Sequence, residues 1–145
     1  EYDPVECEII TIENYERRIP IARENFIRAE KEEQITLLEG DAKDVLETLT
    51  EPFDLIFMDA AKGQYLNFLP RVLELLQPEG ILISDNVLQD GDIIESRFAV
   101  TRRNRTIHKR MREYLYTLTH SEELTTAVLP VGDGITISTK KGRKA

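Results

Sequence analysis

The chain has 145 residues, 41% hydrophobic and 32% charged, with a formal net charge of −8. That length suffices for one domain with a real core, and the acidic balance argues against a general nucleic-acid binder. No apolar run reaches membrane-span length, no secretory signal opens the chain, and a single cysteine excludes an internal disulfide framework and suits a reducing, cytoplasmic setting.

Strand and helix patterns alternate from the start. "CEIITIE" (7–13) is a short β-branched strand, in which Cys7 reads as a buried thiol without chemistry. "IPIARENFIRAEKEE" (19–33) reads as a helix, with Pro20 tolerable only in its first turn. "ITLLEG" (35–40) is a strand, and "DAKDVLETLT" (41–50) a short helix with Asp41 as a candidate N-cap. "FDLIFMDA" (53–60) is the third strand. "YLNFLPRVLELL" (65–76) is mostly helical, ended by the turn "QPEG", and "GILISDNV" (80–87) is the fourth strand. Residues 89–101 read as a loop, 102–120 as a helix, and "LTTAVLPVGDGITISTKK" (124–141) as a β-hairpin. "GDG" (132–134) is most simply its tight turn. Residues 1–141 form a single domain, followed by a disordered tail at 142–145.

Strands with continuous apolar runs, alternating with helices, imply a parallel α/β sheet covered on both faces, with antiparallel strands added at one edge by the hairpin. In such sheets ligands bind beyond the carboxyl ends of the strands. The candidates are therefore Glu13, Gly40-Asp41-Ala42, Asp59 and Asp85-Asn86. None of the seven glycines forms a G-x-G cluster ahead of a helix. The expectation is a nucleotide-binding domain whose first strand and glycine-rich turn are absent from this sequence.

Glu13 suits a ribose diol, because a carboxylate accepts from two hydroxyls; it suits equally the capping of the next turn. Asp41 can accept from an adenine amino group while the Ala42 N–H donates to the ring, or can simply cap its helix. Asp59 ends one strand and Asp85-Asn86 the next. If those strands are neighbours, three hard oxygen ligands converge, a set suited to Mg²⁺, Mn²⁺ or Ca²⁺ rather than zinc. Lys62 would stand beside that ion, where its charged form is disfavoured and its amine suits a general base. The dull reading of each motif is a strand-end acid followed by a turn.

"FDLIFMDAAKGQY", "PEGILISDNVL" and "LPVGDGITIS" resemble the cation-dependent O-methyltransferases of the catechol and caffeoyl-CoA type, over about Ile9 to Lys140. The resemblance implies a Rossmann-like S-adenosylmethionine methyltransferase fold, with strand order 3-2-1-4-5-7-6, lacking its first and central strand here. It implies that Asp59, Asp85 and Asn86 bind Mg²⁺ or Mn²⁺ and that Lys62 deprotonates the substrate hydroxyl. It further implies that Glu13 holds the ribose, that Gly40, Asp41 and Ala42 border adenine, and that Asp59 lies near the methionine end. The family's glycine-rich first motif has no counterpart, so the methionine part of the cofactor lacks its cradle. A homodimer is also implied.

"AAKGQY", "RRNRTIHKRMREY" and "PVGDG" resemble more narrowly the bacterial tRNA methyltransferases that act on 5-hydroxyuridine at the wobble position. An anticodon loop would then be the partner, with its single-stranded base splayed into the site. The basic residues bear on that choice. On a helical wheel Ile107, Met111, Tyr114, Leu115 and Leu118 share the core face, while Arg102, Arg105, Lys109 and Arg112 lie opposite, as a stripe for phosphates or as a solvated face. His108 and His120 read as surface residues. Two other readings stay open: the same chemistry on a small catechol-like molecule, and a non-catalytic receiver-like module, which does not explain Lys62 beside Asp59.

Overall fold

The computed structural model describes residues 7–88, 93, 101 and 105–142. Arg97, Arg102, Arg103 and nearly all of the expected loop at 89–101 lie outside the described residues, as does the tail beyond Gly142. The chain divides into two compact units, Glu1–Leu49 and Thr50–Ala145.

The first unit runs β1 (Ile9–Glu13), α1 (Ile19–Arg28), β2 (Ile35–Glu39) and α2 (Ala42–Thr48). β1 and β2 are parallel and pair from Ile9↔Ile35 to Glu13↔Glu39, so both carboxyl ends fall at one level. Pro20 sits in the first turn of α1, where its missing N–H costs nothing. α1 stops at Arg28, not residue 33. Lys31 N–H donates to the Phe26 carbonyl and Glu30 N–H to that of Ile27, both at 2.9 Å, around Glu30 at φ 55°. That is a Schellman closure with glutamate where glycine is usual. "EKEE" has good helix propensity but offers no apolar residue to pack, so nothing offsets stopping early. Cys7 precedes β1 and is exposed, against the expected buried thiol, because the strand begins only at Ile9.

The second unit contains β3 (Phe53–Met58), α3 (Tyr65–Leu75), β4 (Leu76–Ser84), α4 (Arg105–His120), β5 (Leu124–Leu129) and β6 (Ile135–Lys140). Its sheet has the order β3-β4-β6-β5. β3 and β4 are parallel, whereas β4/β6 and β5/β6 are antiparallel, so the hairpin adds to the edge of β4 as expected. β4 starts at Leu76, directly after α3. The "QPEG" turn survives as an irregularity inside the strand, where the register passes from Phe53↔Leu76 to Leu55↔Ile81 around Glu79 at φ 66°. The strand ends at Ser84, short of residue 87, because Asn86 turns the chain at φ 56°.

One face of this sheet is the core. α3 buries Tyr65, Phe68, Leu69, Val72 and Leu75, and α4 buries His108, Met111, Tyr114 and Leu118. These spacings of three and four are the apolar stripe of an amphipathic helix. His108 is therefore not a surface residue: it lies one turn before Met111 on the same stripe and is 2% exposed. Beneath α4 the sheet contributes hydroxyls. Thr126 Oγ1 meets Ser138 Oγ at 2.9 Å and donates to the Leu118 carbonyl at 3.0 Å. The opposite face is less covered than the expected two-sided sheet: Leu55 and Phe57 are 52% and 58% exposed.

The abrupt passage from α3 to β4 leaves helix-terminal carbonyls to be satisfied. Lys140 of β6 does this, its Nζ donating to the carbonyls of Leu73 at 2.6 Å and Leu76 at 2.7 Å. A cation at a helix C-terminus is also favoured by the helix dipole. Lys140→Met is expected to lower unfolding free energy by about 1.5–3 kcal/mol, the range for hydrogen bonds to charged groups. Urea unfolding checks this, and an unshifted midpoint would contradict it.

Candidate active site

The last paired residues of β3 and β4 are Met58 and Ser84, so Asp59 and Asp85 leave neighbouring strands at one level. Asp85 N–H donates to the Met58 carbonyl at 3.1 Å and extends the ladder by one rung. Tyr65, the first residue of α3, lies beneath. Its hydroxyl is shared between the carbonyls of Asp85 at 2.9 Å and Met58 at 3.2 Å. The ring meets Tyr114 edge-on, with centroids 5.3 Å apart, and the Tyr114 hydroxyl pairs with Ser84 Oγ at 2.6 Å. Two buried tyrosines thus hold both strand tips.

Burial, then the charge of Asp59, then Tyr114 and the charge of Asp85 push the Tyr65 hydroxyl well above the usual tyrosine range. Burial pushes Tyr114 up to about 12, against the opposing hydrogen bond from Ser84. Both phenols therefore stay protonated donors at neutral pH. Folded-state values raised above the unfolded one mean that this contribution is full below pH ~10 and fades as pH climbs through the folded values.

Asp59 is exposed, and Asp85 and Asn86 are half-buried. Asp85 Oδ1 accepts from the Asn86 N–H at 2.7 Å, and Oδ2 from the Asn86 carboxamide at 3.4 Å. Asparagine is among the few residues that tolerate the left-handed conformation found at position 86. The expected trio is thus brought to two adjacent tips. Among the described residues no group of three His, Cys, Asp or Glu side chains could hold a metal ion. The candidate set is instead two carboxylates and a carboxamide. An all-oxygen set of this kind suits a hard divalent ion. Lys62 is half-buried and opens the 3-10 turn Lys62–Gln64, which joins β3 to α3.

The hairpin loop does more than turn the chain. Val87 N–H donates to the Gly134 carbonyl at 3.0 Å and Leu88 N–H to that of Asp133 at 2.9 Å. "GDG" therefore holds the segment leaving Asn86, a role the tight-turn reading missed. The available signal was a second glycine beyond the one a simple turn requires. Gly134 has φ +85°, and a Cβ there would stand 2.2 Å from Leu88 Cγ.

In the first unit Glu13 and Gly40 come together at the strand ends, with Gly40 N–H donating to the Glu13 carbonyl at 3.1 Å. Glu13 Oε1 accepts from the N–H groups of Asn14 at 3.1 Å and Tyr15 at 2.9 Å, so it does cap the following turn. Asp41 is the N-cap of α2 and accepts from Lys43 N–H at 2.9 Å, while Ala42 is the first residue of that helix. Both local roles are filled, and neither uses all of the carboxylate's acceptor capacity.

Of the basic stripe, Lys109 is exposed and Arg105 half-buried. Arg112 is exposed but spends Nη1 on the Ile93 carbonyl at 2.9 Å. Arg102 lies outside the described residues.

Residues 3–141 match the family model described as O-methyltransferase. The chain is 34% identical over 134 residues to caffeoyl-CoA O-methyltransferase 1 of Eucalyptus globulus, covering 88% of this chain and 53% of that protein. It is 33% identical over 96 residues to the catechol O-methyltransferase of Niastella koreensis, covering 63% of this chain and 43% of that one. An SAH-bound methyltransferase from Podospora anserina superposes with a TM-score of 0.81 at 30% identity, covering 94% of this chain and 62% of that one. The chain spans about half the length of the curated relatives it matches. The fold is Rossmann-like α/β, with a mixed sheet that ends in an antiparallel hairpin.

Gly134→Ala should force alanine into positive φ, at about 1–2 kcal/mol, and drive Leu88 aside, at about 1–3 kcal/mol more. Urea unfolding is expected to show a loss of about 2–5 kcal/mol, the sum of the two. A loss within about 0.5 kcal/mol, typical of neutral surface changes, would contradict the role given to this loop.

Proposed function

The chain belongs to the O-methyltransferase family, and from that premise we propose that it transfers a methyl group from S-adenosylmethionine to a hydroxyl beside a second oxygen. In this reading Asp59, Asp85 and Asn86 hold Mg²⁺ or Mn²⁺. The observation that carries it is the pair of carboxylates on adjacent strand tips, with Lys62 three residues beyond Asp59. A divalent cation there would supply Lewis acidity, making the substrate hydroxyl easier to deprotonate. Lys62 takes that proton on Nζ. The hydroxyl oxygen then bonds to the methyl carbon as the carbon–sulfur bond breaks, leaving S-adenosylhomocysteine. Glu13 holds the ribose through Oε2, which faces the exposed Arg18 guanidinium at 3.7 Å, since Oε1 is occupied by two backbone N–H groups. Gly40, Asp41 and Ala42 border the adenine, and Asp59 stands toward the methionine end.

For the substrate we read 5-hydroxyuridine at the tRNA wobble position. Its hydroxyl lies beside the C4 carbonyl and offers the two oxygens that the site needs. The supporting feature is the basic side of α4 on a chain of net charge −8, where Arg105 and Lys109 are suited to backbone phosphates. A small catechol-like molecule is the second reading, favoured by the substrates named for the Eucalyptus and Niastella proteins.

The test is methyl transfer by the full-length protein, with Mg²⁺, to a 5-hydroxyuridine anticodon stem-loop and to catechol. Asp85→Ala and EDTA should each abolish transfer to both. Arg105→Gln with Lys109→Gln should weaken stem-loop binding and reduce its log–log salt slope by about 0.7–0.9 per phosphate contact, leaving catechol turnover unchanged. Arg112 is left intact because it also anchors Ile93. Full activity in EDTA would refute the metal reading, and an unaltered salt slope would put the small-molecule reading first.

A further inference from the structure

The outward stripe leaves one basic residue of α4 unexplained. Arg110 donates through Nη1 to the carbonyl of Gly63, the residue after Lys62. A Cβ on Gly63 would lie 3.7 Å from that nitrogen, so the guanidinium covers the turn closely. The turn is short: Gln64 N–H donates to the Ala61 carbonyl at 2.7 Å, and no side chain caps its start. Three-residue 3-10 turns have poor hydrogen-bond geometry and are intrinsically weak. Arg110, by contrast, stands on a rigid base, because the next residue, Met111, is fully buried.

A general base must come within about 2.6–3.2 Å of the proton it takes. Displacement by about 1 Å can cost roughly a hundredfold in rate. We propose that Arg110 is a positioning residue: it ties the turn to α4 and so sets where the Lys62 amine stands. This rests on the reading of Lys62 as the base. It also separates the basic residues of α4 by task, with Arg110 acting inward on the site and Lys109 facing solvent.

The experiment compares Arg110→Gln and Arg110→Lys with wild type in the full-length protein. Backbone hydrogen exchange over residues 61–66 is measured without substrate, and kcat and KM with it. Arg110→Gln should exchange at least about tenfold faster across the turn, with protection in α4 and β6 unchanged. Its kcat should fall by about ten- to a hundredfold with KM within about twofold, the pattern of a misplaced base. Arg110→Lys keeps a donor on a long stem and should fall between the two in both readouts. Unchanged exchange in Arg110→Gln overturns the tie. Faster exchange with unchanged kcat overturns the positioning role, and an Arg110→Lys indistinguishable from Arg110→Gln removes the hydrogen bond as the cause. Exchange needs no turnover, so a wild-type protein that methylates neither substrate counts against the proposed function, while the tie is still decided by exchange.

Discussion

A buried phenol braces the candidate site. Where β3 and β4 end, the Met58 carbonyl takes the last rung of the ladder from Asp85 N–H, and the Tyr65 hydroxyl reaches both that carbonyl and the carbonyl of Asp85. A sequestered carbonyl without a partner would be costly, so this contact, together with the Asp85–Met58 backbone bond, sets the height at which each strand releases its acid. Tyr65 also opens α3, directly behind the turn that carries Lys62. The strand tips, the turn and a helix start therefore share one anchor. Tyr114 packs edge-on against it and ties Ser84, so the placement of α4 depends on the same contact. The acids themselves help keep this hydroxyl protonated, because their charges oppose its ionisation.

Much of this was readable in the sequence, and the reasons are local. Strand and helix periods alternate without ambiguity from Ile9 to Lys140, and a strand-end acid followed by a glycine or asparagine turn is a strong punctuation. Asp41 before a helical run declared its cap, and the pairing of "DAAK" with "SDN" placed two acids on consecutive strands. What escaped was decided at a distance. The end of α1 depends on a backbone closure around a glutamate, which propensity disfavours. The early start of β4 depends on pairing with Phe53, and the bonds from "GDG" to Val87 and Leu88 join residues more than forty positions apart. His108 was misjudged because a polar residue on an apolar stripe looks like a break in it, whereas here it is buried with the rest.

The basic residues give the clearest case of composition outrunning structure. Read as a count, the basic residues of α4 form one patch for phosphates. In the fold they divide: Arg112 and Arg110 turn guanidinium groups onto the carbonyls of Ile93 and Gly63. Arginine's planar fork suits such ties, since one nitrogen can bond a carbonyl while the others stay hydrated. The surface left for a polyanion is correspondingly narrower. Its charge is partly engaged in shaping the loops that leave β3 and β4, so substrate contact and site geometry meet on one helix.

The most direct measurement is Mn²⁺ binding by electron paramagnetic resonance to wild type and Tyr65→Phe, with circular dichroism confirming that both fold. Loss of a buried hydrogen bond at this level corresponds to about 1–3 kcal/mol, and each 1.4 kcal/mol is tenfold in affinity. If the phenol sets the spacing of Asp59 and Asp85, Tyr65→Phe should bind Mn²⁺ at least about fivefold more weakly while keeping its helical signal. Equal affinity in a folded variant would mean that the strand tips hold their places without Tyr65, and the anchor described here would be wrong.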